Sequence, residues 1–180
     1  MNRREFLKDA TMCGAALSLA PAAPAAATQT PASPAGRIKV GVIGCGNVSG
    51  SYIPDMLASP HIEIVSACDI IVERAENAAK KFKIPNFYPN IDAMLAGARF
   101  DLLVNITSMP SHYPVNKKAL EAKVNVWTEK PMAVAVRDGQ ELLALAQKQG
   151  VGFWAAPTVV TSPQFRFMAE TIASGKIGNI

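Results

Sequence analysis

The chain has 180 residues, with 18 Lys and Arg against 14 Asp and Glu, for a formal net charge of +4 at neutral pH. Apolar residues make up 49% and charged residues 18%, a globular composition that excludes a wholly disordered chain. No apolar run reaches the roughly 20 residues of a membrane span, and the basic excess is too weakly clustered for a nucleic-acid footprint.

Met1 to Ala27 differs in composition from the rest of the chain. The basic start Asn2-Arg3-Arg4-Glu5-Phe6-Leu7-Lys8 runs into a mildly apolar stretch, Ala10 to Ala20, and then into the small-residue run Pro21 to Ala27. Basic, apolar and small segments in that order form an export signal. The adjacent arginines ahead of Phe6-Leu7-Lys8 resemble a twin-arginine signal, which a receptor reads and which does not anchor. The expected destination is the periplasm or the outside, reached by a protein already folded. Thr28 to Gly36, rich in Thr, Pro and Ala, reads as a flexible leader.

Strand and helix alternate through the remainder. Ile38 to Ile43 is a β-branched strand, and Val48 to Leu57 reads as a helix that Pro54 kinks or delays. Ile62 to Ala67 is the next strand. Val72 to Phe82 is a helix with Val72, Ala75, Ala79 and Phe82 on one face. A short helix at Ile91 to Leu95 precedes a strand at Asp101 to Ile106. His112 to Ala122 reads as a helix with Pro114 in its first turn. Val124 to Thr128 is a strand. Val136 to Gln149 is a helix that turns Leu142, Leu143 and Ala146 inward and ends at Gly150. Val151 to Ala155 is a strand, and Ser162 to Ala173 a helix with Phe165, Met168, Ala169 and Ile172 on one face. Trp127 and Trp154 are expected in the core. Nearly continuous apolar strands between helices predict an α/β fold, a doubly wound parallel sheet covered on both sides. The expected domain occupies residues 37–157, with 158–180 as a connecting helix and the start of a further domain.

The first strand runs directly into Gly44-Cys45-Gly46-Asn47-Val48-Ser49-Gly50. Gly44 permits a tight turn, and Gly46 lets the backbone approach a pyrophosphate. The helix after the turn offers unpaired N–H groups and a positive dipole end. Ser49 stands at the third small position, a departure from the strict glycine pattern. Asp69 ends the second strand, where an acid accepts hydrogen bonds from ribose hydroxyls. A carboxylate there favours NAD over NADP, although Arg74 in the next helix softens the preference. Of the three cysteines, Cys13, Cys45 and Cys68, none has zinc-ligand spacing, and no metal site is expected. Cys45 and Cys68 read as small buried residues.

Glu129-Lys130-Pro131 after the Val124 to Thr128 strand completes a set. Taken with Gly44-Cys45-Gly46-Asn47, Ala67-Cys68-Asp69, Asn105 to Tyr113 and Ser174-Gly175-Lys176-Ile177-Gly178, it resembles the Gfo/Idh/MocA oxidoreductases. The resemblance covers Ile38 to Ile180 and implies a Rossmann domain. It also implies that Gly44, Cys45, Gly46, Asn47 and Val48 hold the pyrophosphate of NAD, or of NADP, and Asp69 the adenosine ribose. Thr107, Ser108, Pro110 and His112 would line the cofactor at a strand's carboxyl end. Glu129, Lys130 and Pro131 would lie near the nicotinamide, with Lys130 as the catalytic residue that polarises the reacting hydroxyl or relays a proton. Lys123 stands where the family commonly has Gly, and Ala135 where a capping Asn or Thr is usual. The family's second, α+β substrate domain is absent from this chain, which reads as the front part of a longer, homo-oligomeric protein. The implied substrate is a small sugar or cyclitol. A glycosidase that oxidises and re-reduces its sugar is one alternative, and a nucleotide-binding module without catalysis is another.

Overall fold

The computed structural model describes residues 36–156 and 162–178, so the export-signal reading and nearly all of the leader lie outside the described residues. The elements are β1 (Ile38–Ile43), α1 (Ser49–Ala58), β2 (Ile62–Cys68), α2 (Val72–Phe82), β3 (Asn86–Tyr88) and α3 (Ile91–Ala96). They continue with β4 (Leu102–Asn105), α4 (Met109–Glu121), β5 (Asn125–Thr128), α5 (Val136–Gln149), β6 (Phe153–Ala155) and α6 (Pro163–Ala173).

All six strands are parallel, in the order β3-β2-β1-β4-β5-β6. The chain thus winds outward one way from β1 and then the other way from β4. The gap between their carboxyl ends is the switch point where doubly wound sheets take ligands. Side-chain alternation sends successive apolar residues to opposite faces. Val40, Val42 and Val104 join Ile53 of α1 and Ala78 and Ala79 of α2 in one core. Ile43, Leu103 and Val126 join Met94, Leu120 and Leu142 from α3, α4 and α5 in the other. Apolar strands with helices on both faces result from that division, and the α/β expectation holds.

Several details differ from the sequence reading. β3 is a strand of three residues, too short and too polar at Asn86 to stand out from a loop. Helix α4 starts at Met109, so Pro110 occupies its first turn and Pro114 lies inside it. Helix α1 begins at Ser49 and runs on through Pro54. Trp154 is 54% exposed: β6 is an edge strand, and the indole lies over Gly152. Leu143 is 51% exposed, since the inward stripe of α5 runs through Leu142 and Ala146, one helical turn apart. The apolar face of α6 is exposed, and no element among the described residues covers it.

Candidate functional site

β1 is central, and its carboxyl end delivers the glycine turn into the switch-point gap. Gly44 has φ +100°, and a Cβ there would lie 2.7 Å from the Ile106 carbonyl and the Thr107 nitrogen. Only glycine fits both constraints. Gly46 differs: its φ is not in the left-handed region, and a Cβ would meet nothing within 4 Å. The protein's own packing therefore does not require glycine at 46, whereas a ligand lying against that backbone does.

The N–H groups of Gly46, Asn47 and Val48 donate to no group among the described residues, while the carbonyls of the same three accept from Ser49, Gly50 and Ser51. Ser49 Oγ also donates to the Gly46 carbonyl at 2.6 Å. No side chain caps α1, and its first turn carries no acid. Three unpaired donors at the positive end of a helix form a site for an anion. Ser49 is buried beneath the turn, in the packing role expected of the third small position.

Asp69 follows β2, beside the glycine turn, and is 8% exposed. Its Oδ2 accepts from Cys45 N–H and its Oδ1 from Ile71 N–H, each at 2.8 Å. The carboxylate is thereby fixed to the glycine turn on one side and to the start of α2 on the other. Each oxygen keeps lone-pair capacity for a further donor. A cleft of about 450 Å³, within the usual size of ligand pockets, is lined by Gly44, Gly46, Asn47, Val48, Asp69, Thr107 and Ser108. Seven of the sequence-predicted residues thus share one cavity. Ile70, Arg74, Asn90, Ser111 and Lys118 share its walls as well. Of these five, Arg74 had a signal in the sequence through its place just beyond Asp69, and Ser111 only as part of the Asn105 to Tyr113 stretch.

The remaining predicted residues sit behind or beside that cleft. Asn105, wholly buried, donates from Nδ2 to Asn116 Oδ1 at 2.8 Å and accepts the Thr107 hydroxyl at 2.7 Å. His112 is 1% exposed and bridges two loops. Its Nδ1 is 2.6 Å from the Pro131 carbonyl and its Nε2 is 3.0 Å from the Thr107 carbonyl. A histidine so committed acts from below, holding the walls in register. Pro110 lies in the exposed first turn of α4.

The Glu129-Lys130-Pro131 turn follows β5, and none of its three residues lines the cleft. Glu129 N–H donates to the Asn105 carbonyl at 2.8 Å, continuing the β4–β5 pairing for one residue. Glu129 Oε1 accepts from the Tyr52 hydroxyl, and Oε2 from the Lys130 N–H at 2.7 Å. Lys130 is exposed. Burial, and then the hydrogen bond to Glu129, push the Tyr52 phenol up to about 12, so it is a donor at neutral pH. Burial likewise pushes the Cys45 thiol up to about 11 and the Cys68 thiol up to about 12. Neither presents a thiolate at neutral pH. What Cys45 contributes to the site is its backbone N–H on Asp69. Among the described residues no group of three His, Cys, Asp or Glu side chains is gathered as for a metal.

A family model described as an oxidoreductase family with an NAD-binding Rossmann fold matches residues 38–156. The chain belongs to the Gfo/Idh/MocA family. It carries that family's NAD-binding Rossmann domain, and the switch-point cleft is where that domain's fold places a dinucleotide. Among curated relatives, D-apiose dehydrogenase of Paraburkholderia graminis is 28% identical over 79% of this chain and 38% of its own length. A glycosyl hydrolase family 109 protein of Streptomyces filamentosus is 28% identical over 62% of this chain and 24% of its own. Among solved structures, KijD10, a 3-ketoreductase of Actinomadura kijaniata in complex with TDP-benzene and NADP, superposes with a TM-score of 0.74 at 26% identity. That match covers 80% of this chain and 46% of KijD10. The chain spans less than half the length of the curated relatives it matches.

Proposed function

We propose that this chain supplies the dinucleotide-binding part of an NAD(P)-dependent oxidoreductase. Its reaction moves a hydride between nicotinamide and a hydroxyl-bearing or carbonyl carbon of a small sugar or cyclitol. The observation that carries this reading is the row of N–H groups at Gly46, Asn47 and Val48, without partners among the described residues, facing a cleft walled by Asp69.

In this reading the glycine turn and the first turn of α1 hold the pyrophosphate, and Asp69 takes the adenosine ribose hydroxyls. When bound, the dinucleotide supplies the hydride donor or acceptor. The chain's residues do the rest. Thr107 and Ser108 line the cleft beside the glycine turn, His112 and Asn105 keep that wall in place, and Lys130 offers an ammonium to the reacting oxygen. That ammonium stabilises negative charge developing there or exchanges a proton with it. A 2′-phosphate would approach the buried Asp69 carboxylate, which favours NAD. Arg74 on the same cleft limits the preference. Twin-arginine export to the periplasm and a homo-oligomeric complete protein belong to the same proposal, the first supported by Arg3-Arg4 and the small-residue run before Thr28.

Titration of NADH into the full chain, monitored by nicotinamide fluorescence, tests the core of the reading. Saturable binding is expected, tighter than for NADPH by about tenfold. Absence of binding for both overturns it. The mass of the processed protein in a periplasmic extract tests export, which fails if Met1 to Ala27 is retained. The similarity to a family 109 glycosyl hydrolase favours one second reading, a glycosidase that uses its dinucleotide without net consumption. Release of an aglycone from a glycoside with no net change in reduced nicotinamide absorbance marks that chemistry, and net reduction marks the first.

A further inference from the structure

Tyr52 lies outside the dinucleotide cleft, on the first full turn of α1. Its ring rests on Trp127 of β5, with centroids 5.3 Å apart and planes inclined at 54°. From there its hydroxyl reaches Glu129, and the other oxygen of the same carboxylate holds the backbone N–H of Lys130. Both oxygens of Glu129 are therefore engaged within the protein. A carboxylate gripped on each side is poorly placed to remove a substrate proton. It is well placed to fix the peptide that carries the neighbouring side chain.

We infer that Tyr52 is a positioning residue for Lys130, acting through Glu129 and resting on the reading that Lys130 serves the reaction. The geometry supports this in three ways. The tyrosine ring is fixed at its body by Trp127 and at its tip by Glu129, so the hydroxyl has one place to be. The Glu129 backbone is itself tied to β4 through the Asn105 carbonyl, so the carboxylate bends back from an anchored residue. Finally, Tyr52 N–H donates to the Val48 carbonyl at 3.3 Å, in the turn whose N–H groups face the anion site. The helix that presents donors to the pyrophosphate thus also holds the turn bearing Lys130. A shift of α1 on dinucleotide binding would reach Lys130 without any contact between the two. The phenol, held protonated by burial and by Glu129, remains the donor throughout the neutral range.

The test is amide hydrogen exchange on the full chain, resolved by residue, for the wild type, Tyr52→Phe and Glu129→Gln. Tyr52→Phe keeps the ring on Trp127 and removes only the hydroxyl. The Lys130 amide is expected to exchange about tenfold faster, while Val126, whose N–H bonds to Gly152 within the sheet, keeps its protection. Glu129→Gln should accelerate Lys130 by a similar factor, and the double variant should add little to either single one. NADH affinity should stay within about twofold in Tyr52→Phe, because Tyr52 does not line the cleft. Unchanged Lys130 exchange in Tyr52→Phe overturns the inference whether or not dinucleotide binds. Equal acceleration across β5 overturns it too, by assigning Tyr52 to general packing. Failure of the wild type to bind NADH instead strikes the oxidoreductase reading, and the two failures are read from separate signals.

Discussion

At the amino ends of the strands, three helices close in the same manner. Lys83, Lys123 and Gly150 take left-handed conformations, with φ of 56°, 59° and 68°. The residue after each, Ile84, Val124 or Val151, sends its N–H back to an alanine carbonyl, of Ala79, Ala119 or Ala146, at 2.9 to 3.1 Å. Each is the six-to-one bond of a Schellman end, which ties the chain leaving the helix back onto its last turn. The carboxyl ends obey a different rule. There the turn after β1 leaves the N–H groups of Gly46, Asn47 and Val48 without partners among the described residues, and Lys130 stands exposed after β5. One end of the sheet completes itself, and the other leaves groups open for something else to complete. Binding and stability are accordingly encoded in different turns, and substitutions at each should affect different measurements.

The largest effect should come where the carboxyl end is closed sterically. Gly44→Ala drives a Cβ into the Ile106–Thr107 backbone at a positive φ. It should cost about 3 kcal/mol in urea unfolding, together with NADH binding. Gly46→Val, two residues on, separates the two properties. Its Cβ enters open space, so the unfolding free energy should move by less than about 0.5 kcal/mol while NADH binding weakens about 30-fold. A large loss of stability there would show that the glycine serves the fold after all. At the opposite end, Lys123→Gly relieves a left-handed side chain and should raise stability by up to about 1 kcal/mol with NADH affinity unchanged.

The smallest effect concerns pH. The folded-state values of Cys45, Cys68 and Tyr52 are raised to about 11, 12 and 12, from ordinary values of 9.0, 9.0 and 10.0. The unfolded chain therefore loses these protons first. The stability they contribute is fully present below about pH 9 and declines as pH climbs toward 12. Unfolding midpoints measured between pH 8 and pH 10.5 should fall, and Cys45→Ala should shallow the slope. An identical slope in that variant would remove Cys45 from the account.

Much of the architecture was legible because it rests on local pattern. The α2 and α5 helices occupy the spans their periodicity predicts, and Ala135 caps α5 without a side-chain bond, as its methyl group requires. Lys123 does take the left-handed turn where the family commonly has Gly. The glycine turn, Asp69, Thr107 and Ser108 were readable because motif and strand end coincide in sequence. What escaped depends on partners far apart in the chain. Tyr52 and Glu129 are 77 positions apart, and nothing in either neighbourhood announces the other until the fold brings the Tyr52 side chain onto Trp127 at the end of β5. The Asn105–Asn116 pair is hidden similarly, since Asn105 alone reads as the polar end of an apolar strand and Asn116 as one polar residue among several in a helix. β3 escaped because three residues at a sheet edge hold their place through a single neighbour, β2. Trp154 misled because aromatic residues in strands are usually covered, and an edge strand leaves one side bare.

The two N–H groups on Asp69 bear on how fast and how selectively the cleft would fill. Cys45 and Ile71 hold the carboxylate in place before any dinucleotide arrives. The entropy of orienting that acceptor is thus lost during folding, and association does not have to supply it again. Encounter then needs no slow rearrangement at the ribose end. Differences between one dinucleotide and another should be written mainly in how long each stays, in residence time, with arrival rates nearly alike.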